Sequence, residues 1–175
     1  MAVDHVKSTS ITNLDAVPRV ENTAGEGAPG LLREVTGFAT AVASSSADST
    51  YQLVRIPTNA CVKSIIFESA AQTAGKFDLG VYYDSGPPDY LALLAAAAVD
   101  QDFFASDIDC ASAVVPTEVV NESGSYTINE RNLPLWQAIG LSADPGGMFD
   151  IVATVHTTAV TTGTGVFGVS VRYVL

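Results

Sequence analysis

The sequence predicts an all-β protein in the main: an antiparallel β-sandwich of jelly-roll-like kind over residues 35–175, with one or two short helices, behind an extended N-terminal arm over residues 1–34. Three observations carry this. Apolar residues alternate with polar or small ones at period 2 in several runs, which is the mark of strands with one face on a core. These runs recur at roughly ten-residue spacing between turn-forming residues, as in sandwiches and barrels. The 175 residues are 47% hydrophobic and 8% aromatic, enough to bury one core and too few residues for a two-domain enzyme.

The arm has a different texture from the rest. Pro18 and Pro29 punctuate it, and Asn22 to Gly30 follows neither a strand nor a helix period. It has no means of folding alone. Its apolar residues Ile11, Leu14, Val17 and Val20, with Pro18 and then Leu31 and Leu32, are candidates for docking on a partner; the bland reading is a loose terminus.

Strands are expected at 35–43, 51–56 and 62–68, with turns at Ser44–Asp48 and at Pro57-Thr58-Asn59-Ala60. The clearest strand is 77–83, where Phe77, Leu79, Val81 and Tyr83 share one face and Asp78, Gly80 and Tyr82 the other, so it reads as half-buried. After Gly86-Pro87-Pro88, the Ala-rich run Leu91–Val99 favours a helix that Asp89 can cap. A second helix is expected at Leu135–Ile139, with Asn132 as cap, Pro134 in the first turn and Gly140 as terminator. Asp144-Pro145-Gly146-Gly147 turns the chain into a strand with Phe149, Ile151, Ala153 and Val155 on one side. A loop at 157–164 leads to the last strand, Phe167, Val169, Val171 and Tyr173, and 149–174 reads as a terminal hairpin.

Charge narrows the function. Nineteen acids oppose eight bases, for a net charge of −11, and only 15% of residues are charged against roughly 25% in an average protein. The lysines and arginines are scattered, so nucleic-acid binding is disfavoured. Met1 to Lys7 lacks an apolar signal region, and the apolar run Leu91–Val99 is about half of a membrane span. The expectation is a soluble chain made in a cytoplasm, with no membrane partner.

Few residues offer chemistry. Gly163-Thr164-Gly165-Val166-Phe167-Gly168 spells G-x-G-x-x-G, but a strand comes after it where a dinucleotide site needs a helix. Asp100, Asp102, Asp107 and Asp109 either are solvated loop acids and caps or hold a hard cation. Cys61 and Cys110 either pair or sit apart as buried thiols. His156 with one of these cysteines is the only dyad to consider, and neither cysteine has a nucleophile's local signature. The sequon Asn121-Glu122-Ser123 is without meaning in a chain with no secretory signal. Trp136 reads as a plug at the end of the sandwich, or else as an anchor for a sugar or a subunit. Tyr82, Tyr83 and Tyr90 would form an aromatic rim. No cofactor is expected.

Several stretches resemble small structural proteins of tailed bacteriophages: Tyr51–Ala60, Phe77–Tyr82, Phe103–Ser106, Leu135–Leu141 with Asp144-Pro145, Asp150–Thr154 and Val171–Tyr173. They are fold-forming residues without a catalytic motif. The resemblance implies a virion component without enzymatic activity, a capsid decoration (cement) protein made in a host bacterium and seated on the outer capsid surface. Its partner would be the major capsid protein, and by the habit of such proteins it would be a homo-oligomer, with a trimer the expected form. The alternatives are another virion position (head–tail connector, tail or fibre base) and a carbohydrate-binding sandwich module. An acidic surface suits an exterior position away from packaged DNA, and sparse charge suits broad subunit contact.

Overall fold

The computed structural model describes residues 12–13, 15–18, 20–21, 30–43, 45–72, 74–83, 98–156 and 165–175. Eight strands are found there: β1 Leu32–Thr40, β2 Thr50–Pro57, β3 Cys61–Ser69, β4 Lys76–Tyr83, β5 Ala98–Asp109, β6 Val114–Glu118, β7 Met148–Val155 and β8 Val166–Val174. They form two four-stranded sheets, β1-β8-β3-β6 and β2-β7-β4-β5, with antiparallel neighbours throughout. The chain passes between the sheets at most of its connections, and the order is that of an eight-stranded jelly roll. The expected sandwich is therefore present.

The core fills the space between the sheets. Phe77 from the second sheet stacks on Phe167 from the first, centroids 4.6 Å apart, and Tyr51 meets Phe167 edge-on at 5.2 Å. Val54, Ile56, Leu79, Val81, Ile151 and Val155 complete that side of the core. A second aromatic group, Phe103, Phe104 and Tyr126, packs edge to face at 5.1–5.4 Å. The Tyr126 hydroxyl donates to the Val62 carbonyl at 2.7 Å, which satisfies its polar end inside the core.

Several expectations are corrected. β7 and β8 do not form a hairpin: they lie in different sheets, and β8 pairs with β1 and β3. β1 begins at Leu32, so Leu32, Arg33 and Glu34, read as the end of the arm, pair with Val174, Tyr173 and Arg172. Of the predicted helix at Leu91–Val99, residues 91–97 lie outside the described residues, and Ala98 and Val99 open β5. There the pairing of Ala98 with Tyr82 overrides alanine's helical preference. The four aspartates expected in a loop also lie on β5.

The short helix α1 spans Leu135–Ala138. Pro134 is its N-cap in extended conformation and not part of the first turn. Asn132 does not cap it. That side chain accepts a hydrogen bond from Lys63 Nζ at 3.0 Å, and the first helical amides are satisfied by carbonyls of the β2–β3 turn, Leu135 N–H on Ala60 at 2.9 Å and Trp136 N–H on Thr58 at 3.0 Å. Gly140, at φ +81°, ends the helix as expected. Leu135 is the fully buried plug, with Trp136 half-buried beside it.

β4 is buried on both sides and not half-buried as its alternation implied. Phe77 to Tyr82 are all buried. Gly80 explains part of this. A Cβ there would stand 2.2 Å from the carbonyl oxygens of Asp100 and Gln101, so the backbone of β5 rests directly on it. The ladder shows the same crossing: Leu79 pairs with Ala105 and Val81 with Asp100, so two steps along β4 correspond to five along β5.

Candidate functional site

The outer face of the second sheet carries a connected row of polar groups. Along it the pairing register places Arg55 beside Asp150 beside Tyr82, then Gln52 beside Val152 beside Gly80, then Thr50 beside Thr154 beside Asp78. Asp150 is buried and receives Arg55 in a two-point contact, Nε at 2.6 Å and Nη2 at 2.9 Å. Tyr82 and Thr154 share a hydroxyl hydrogen bond at 2.7 Å. Burial pushes the Tyr82 phenol's pKa up, so it stays neutral through the physiological range.

At the end of this face stands Asp78, only 3% exposed. Its carboxylate accepts the Asp107 amide at 2.8 Å, Gln101 Nε2 at 3.2 Å and Ser106 Oγ at 3.4 Å. His156 Nδ1 lies 2.8 and 2.9 Å from the two carboxylate oxygens. On the other side of the ring, Nε2 is 3.8 Å from Asp107 Oδ1, and Asp107 in turn holds Lys76 Nζ at 2.6 Å. The hydrogen bond that His156 donates to Asp78 raises the imidazole pKa above 6.5, against a lowering by burial. Lys76 pulls the Asp107 carboxyl below the usual range. A cleft of about 470 Å³, lined by Ala47, Asp48, Asp78, Gln101, Asp102 and His156, opens beside the ring.

This arrangement can hold a proton and tie strands together. It brings a carboxylate to His156, a pairing the sequence did not show, and neither cysteine is among the imidazole's partners. Both cysteines are buried and free, so they do not pair. Burial raises both thiols, Cys110 to about 11, which keeps them protonated and poor nucleophiles at neutral pH. Among the described residues no three His, Cys, Asp or Glu side chains converge to hold a metal ion. On β5, Asp109 accepts the Ala111 amide at 2.8 Å and Asp100 the Asp102 amide at 3.3 Å, so each of these two acids bonds the backbone two residues on.

The remaining predicted residues have varied settings. Tyr82 is buried and drops out of the aromatic rim; Tyr83 packs on Phe149 at 5.9 Å, and Tyr90 lies outside the described residues. In the G-x-G-x-x-G run, Gly163 and Thr164 lie outside them too, and Gly168 sits within β8 with no helix after it. Asn121 bonds the Tyr126 carbonyl through its amide nitrogen and Arg131 through its oxygen, so its side chain is fully engaged in the fold. Of the arm's docking candidates, Ile11 and Leu14 lie outside the described residues. Val17 is 98% exposed, Leu31 69% and Leu32 66%; Val20 and Pro18 are exposed as well.

A surface that sequence reasoning missed is the outer face of the first sheet. Phe38 stands on edge strand β1, 76% exposed, over Gly168 of β8. Beside it a groove of about 250 Å³ is lined by Glu68, Ser69, Ala70, Val114 and Val166. Further along, Thr36 bonds Ser170 at 2.8 Å and Glu34 pairs with Arg172 at 2.8 Å. Short polar residues with a few large apolar ones make a face suited to contact. No separate sequence signal marks it, because an edge strand's alternation does not say which residues another molecule covers.

Neither a protein-family model nor a curated protein matches the sequence. Among solved structures, the fold is similar to a chain of the cyanophage Pam1 capsid asymmetric unit, with a TM-score of 0.52 and 16% identity over 92% of this chain and 96% of that one. At that identity the likeness is one of fold. Among the described residues no helix is long and apolar enough to cross a membrane.

Proposed function

We propose that this chain is a structural component of a tailed-phage virion, and within that class a decoration protein on the outside of the head that binds the major capsid protein and acts as a homo-oligomer. The observation that carries the reading is the end-to-end likeness of its jelly roll to a chain of a phage capsid asymmetric unit, 92% of one chain against 96% of the other. Three features support it. The net charge of −11 suits a surface away from packaged DNA. The first sheet presents Leu32 and Phe38 to solvent on an edge strand, where another chain can cover them. The described part of the arm exposes Val17, Val20 and Leu31, which would be buried by ordering on a neighbour.

In this role the chain works by contact and has no chemical step of its own. A head–tail connector or fibre base would use the same fold and surface, and the place of the chain's density on the particle decides between them. The carbohydrate reading is weakened by the burial of Tyr82. The direct test is co-sedimentation of labelled, purified chain with phage heads lacking it, then electron microscopy of the decorated particles. Saturable binding with density over capsomer gaps is expected; failure to co-sediment ends the proposal, and density at a vertex or tail moves the chain to another virion position.

A further inference from the structure

We propose that Asp78, His156 and Asp107 form a protonation-controlled clamp, which fastens the β5 crossover to β4 and to the end of β7 when the imidazole is charged and loosens when it is neutral. The clamp concerns the folded chain alone and does not draw on the virion reading.

The geometry joins three strands at one ring. His156 is fixed to β4 by its backbone, whose amide donates to the Lys76 carbonyl at 2.9 Å, and by Nδ1 on Asp78. Its Nε2 faces Asp107 on β5. Asp107 is held at φ +58°, a left-handed conformation that persists only where its surroundings fix it; it is fixed by the bond from its amide to Asp78 and by the pairing of its carboxylate with Lys76.

The charges around the ring are one-sided. From β4 it meets Asp78 and Lys76 and from β5 Asp107, while Asp102 of β5 and Asp48 of the turn ahead of β2 line the cleft beside it. A charged imidazole donates to Asp78 through Nδ1 and faces Asp107 with a second N–H across 3.8 Å, an ion-pair contact longer than a hydrogen bond. A neutral one keeps its Nδ1 proton on Asp78 and turns the bare Nε2 lone pair toward Asp107, acceptor against acceptor. Losing the proton therefore strikes the link to β5 first. The direction of titration agrees: Asp78 raises the His156 pKa most, Asp107 adds to this, and burial and Lys76 oppose it. A pKa raised on folding gives stability that is complete below the unfolded value near 6.5 and is lost as pH rises through the folded value.

The test is an NMR titration of His156 in the full chain, with amide exchange monitored at Asp107 and at Val169, the latter in the middle of the first sheet. His156 is expected to titrate above 6.5, and lower than that once Asp107→Asn removes the facing charge. Protection of the Asp107 amide relative to Val169 should fall as pH passes the His156 transition, by about tenfold for each unit of its pKa shift, and this step should vanish in His156→Gln. Titration at or below 6.5, no change in Asp107→Asn, or an Asp107 amide that tracks Val169 at every pH would each overturn the clamp.

Discussion

On the outer face of the first sheet Leu32 and Phe38 stand in solvent, while on the outer face of the second Tyr82, Val152 and Thr154 are shut away from it. Both faces come from strands with the same alternation of apolar and polar residues. The difference lies in how the outward residues are covered. The second sheet closes its polar residues into pairs, Arg55 with Asp150, Tyr82 with Thr154 and Asp78 with His156, and β5 lays its backbone on Gly80. The first sheet pairs polar residues too, Thr36 with Ser170 and Glu34 with Arg172, but leaves Leu32 and Phe38 uncovered. One face stabilises the fold; the other is available to a partner.

The most severe way to break this division is to force β5 away from β4. In Gly80→Ala the new methyl would stand 2.2 Å from two backbone carbonyl oxygens, which cannot rotate aside as a side chain can. The expected cost is at or beyond the upper end of overpacking, about 3 kcal/mol, read as a lowered urea midpoint with loss of protection at Asp107. A variant as stable as the parent would show that β5 does not rest on Gly80.

The polar pairs come next. Asp150→Ala removes the buried partner of Arg55 and should cost about 1–3 kcal/mol, measured by the same denaturation. Tyr82→Phe leaves the Thr154 hydroxyl without its partner on β4 and should cost about 1 kcal/mol. If both are neutral, the second sheet's outer face is a solvated surface like the first, and the comparison fails.

How much of this the residues disclose depends on range. The alternation at Phe77–Tyr83 and at Phe149–Val155 marks strands correctly, since period 2 is a local property. It does not say whether the second face meets water, because Asp78 and Thr154 look like surface residues until His156 and Tyr82 are brought to them. Asp78 and His156 are 78 positions apart, and only the register that sets Asp78 opposite Thr154 makes them neighbours. β5 is hidden for another reason: Phe103 and Phe104 fall in succession where the ladder jumps between Ala105 and Asp100, which erases the period. The expected hairpin at 149–174 is absent because β7 and β8, like most successive strands of this jelly roll, go to opposite sheets, a long-range fact that the connecting loop does not reveal. For the same reason the arm's apolar residues can be named from the sequence, whereas Phe38 cannot be told apart from the inward-facing residues of other strands.

Phe38 gives the mildest perturbation of the fold and the sharpest of the proposed contact. The residue is 76% exposed, so Phe38→Ser gives up little burial and should change stability by no more than about 0.5 kcal/mol. If β1 lies in a contact with another chain, the same substitution removes an aromatic anchor of the kind that dominates binding energy, and truncating such a residue costs about 2 kcal/mol or more, roughly thirtyfold in affinity. A retention assay on phage heads, run beside a urea melt of the free chain, separates the two effects. Unchanged stability with weakened retention assigns the first sheet to the interface; unchanged retention leaves the arm as the remaining candidate, and a chain lacking residues 1–30, which keeps β1 whole, then carries the question.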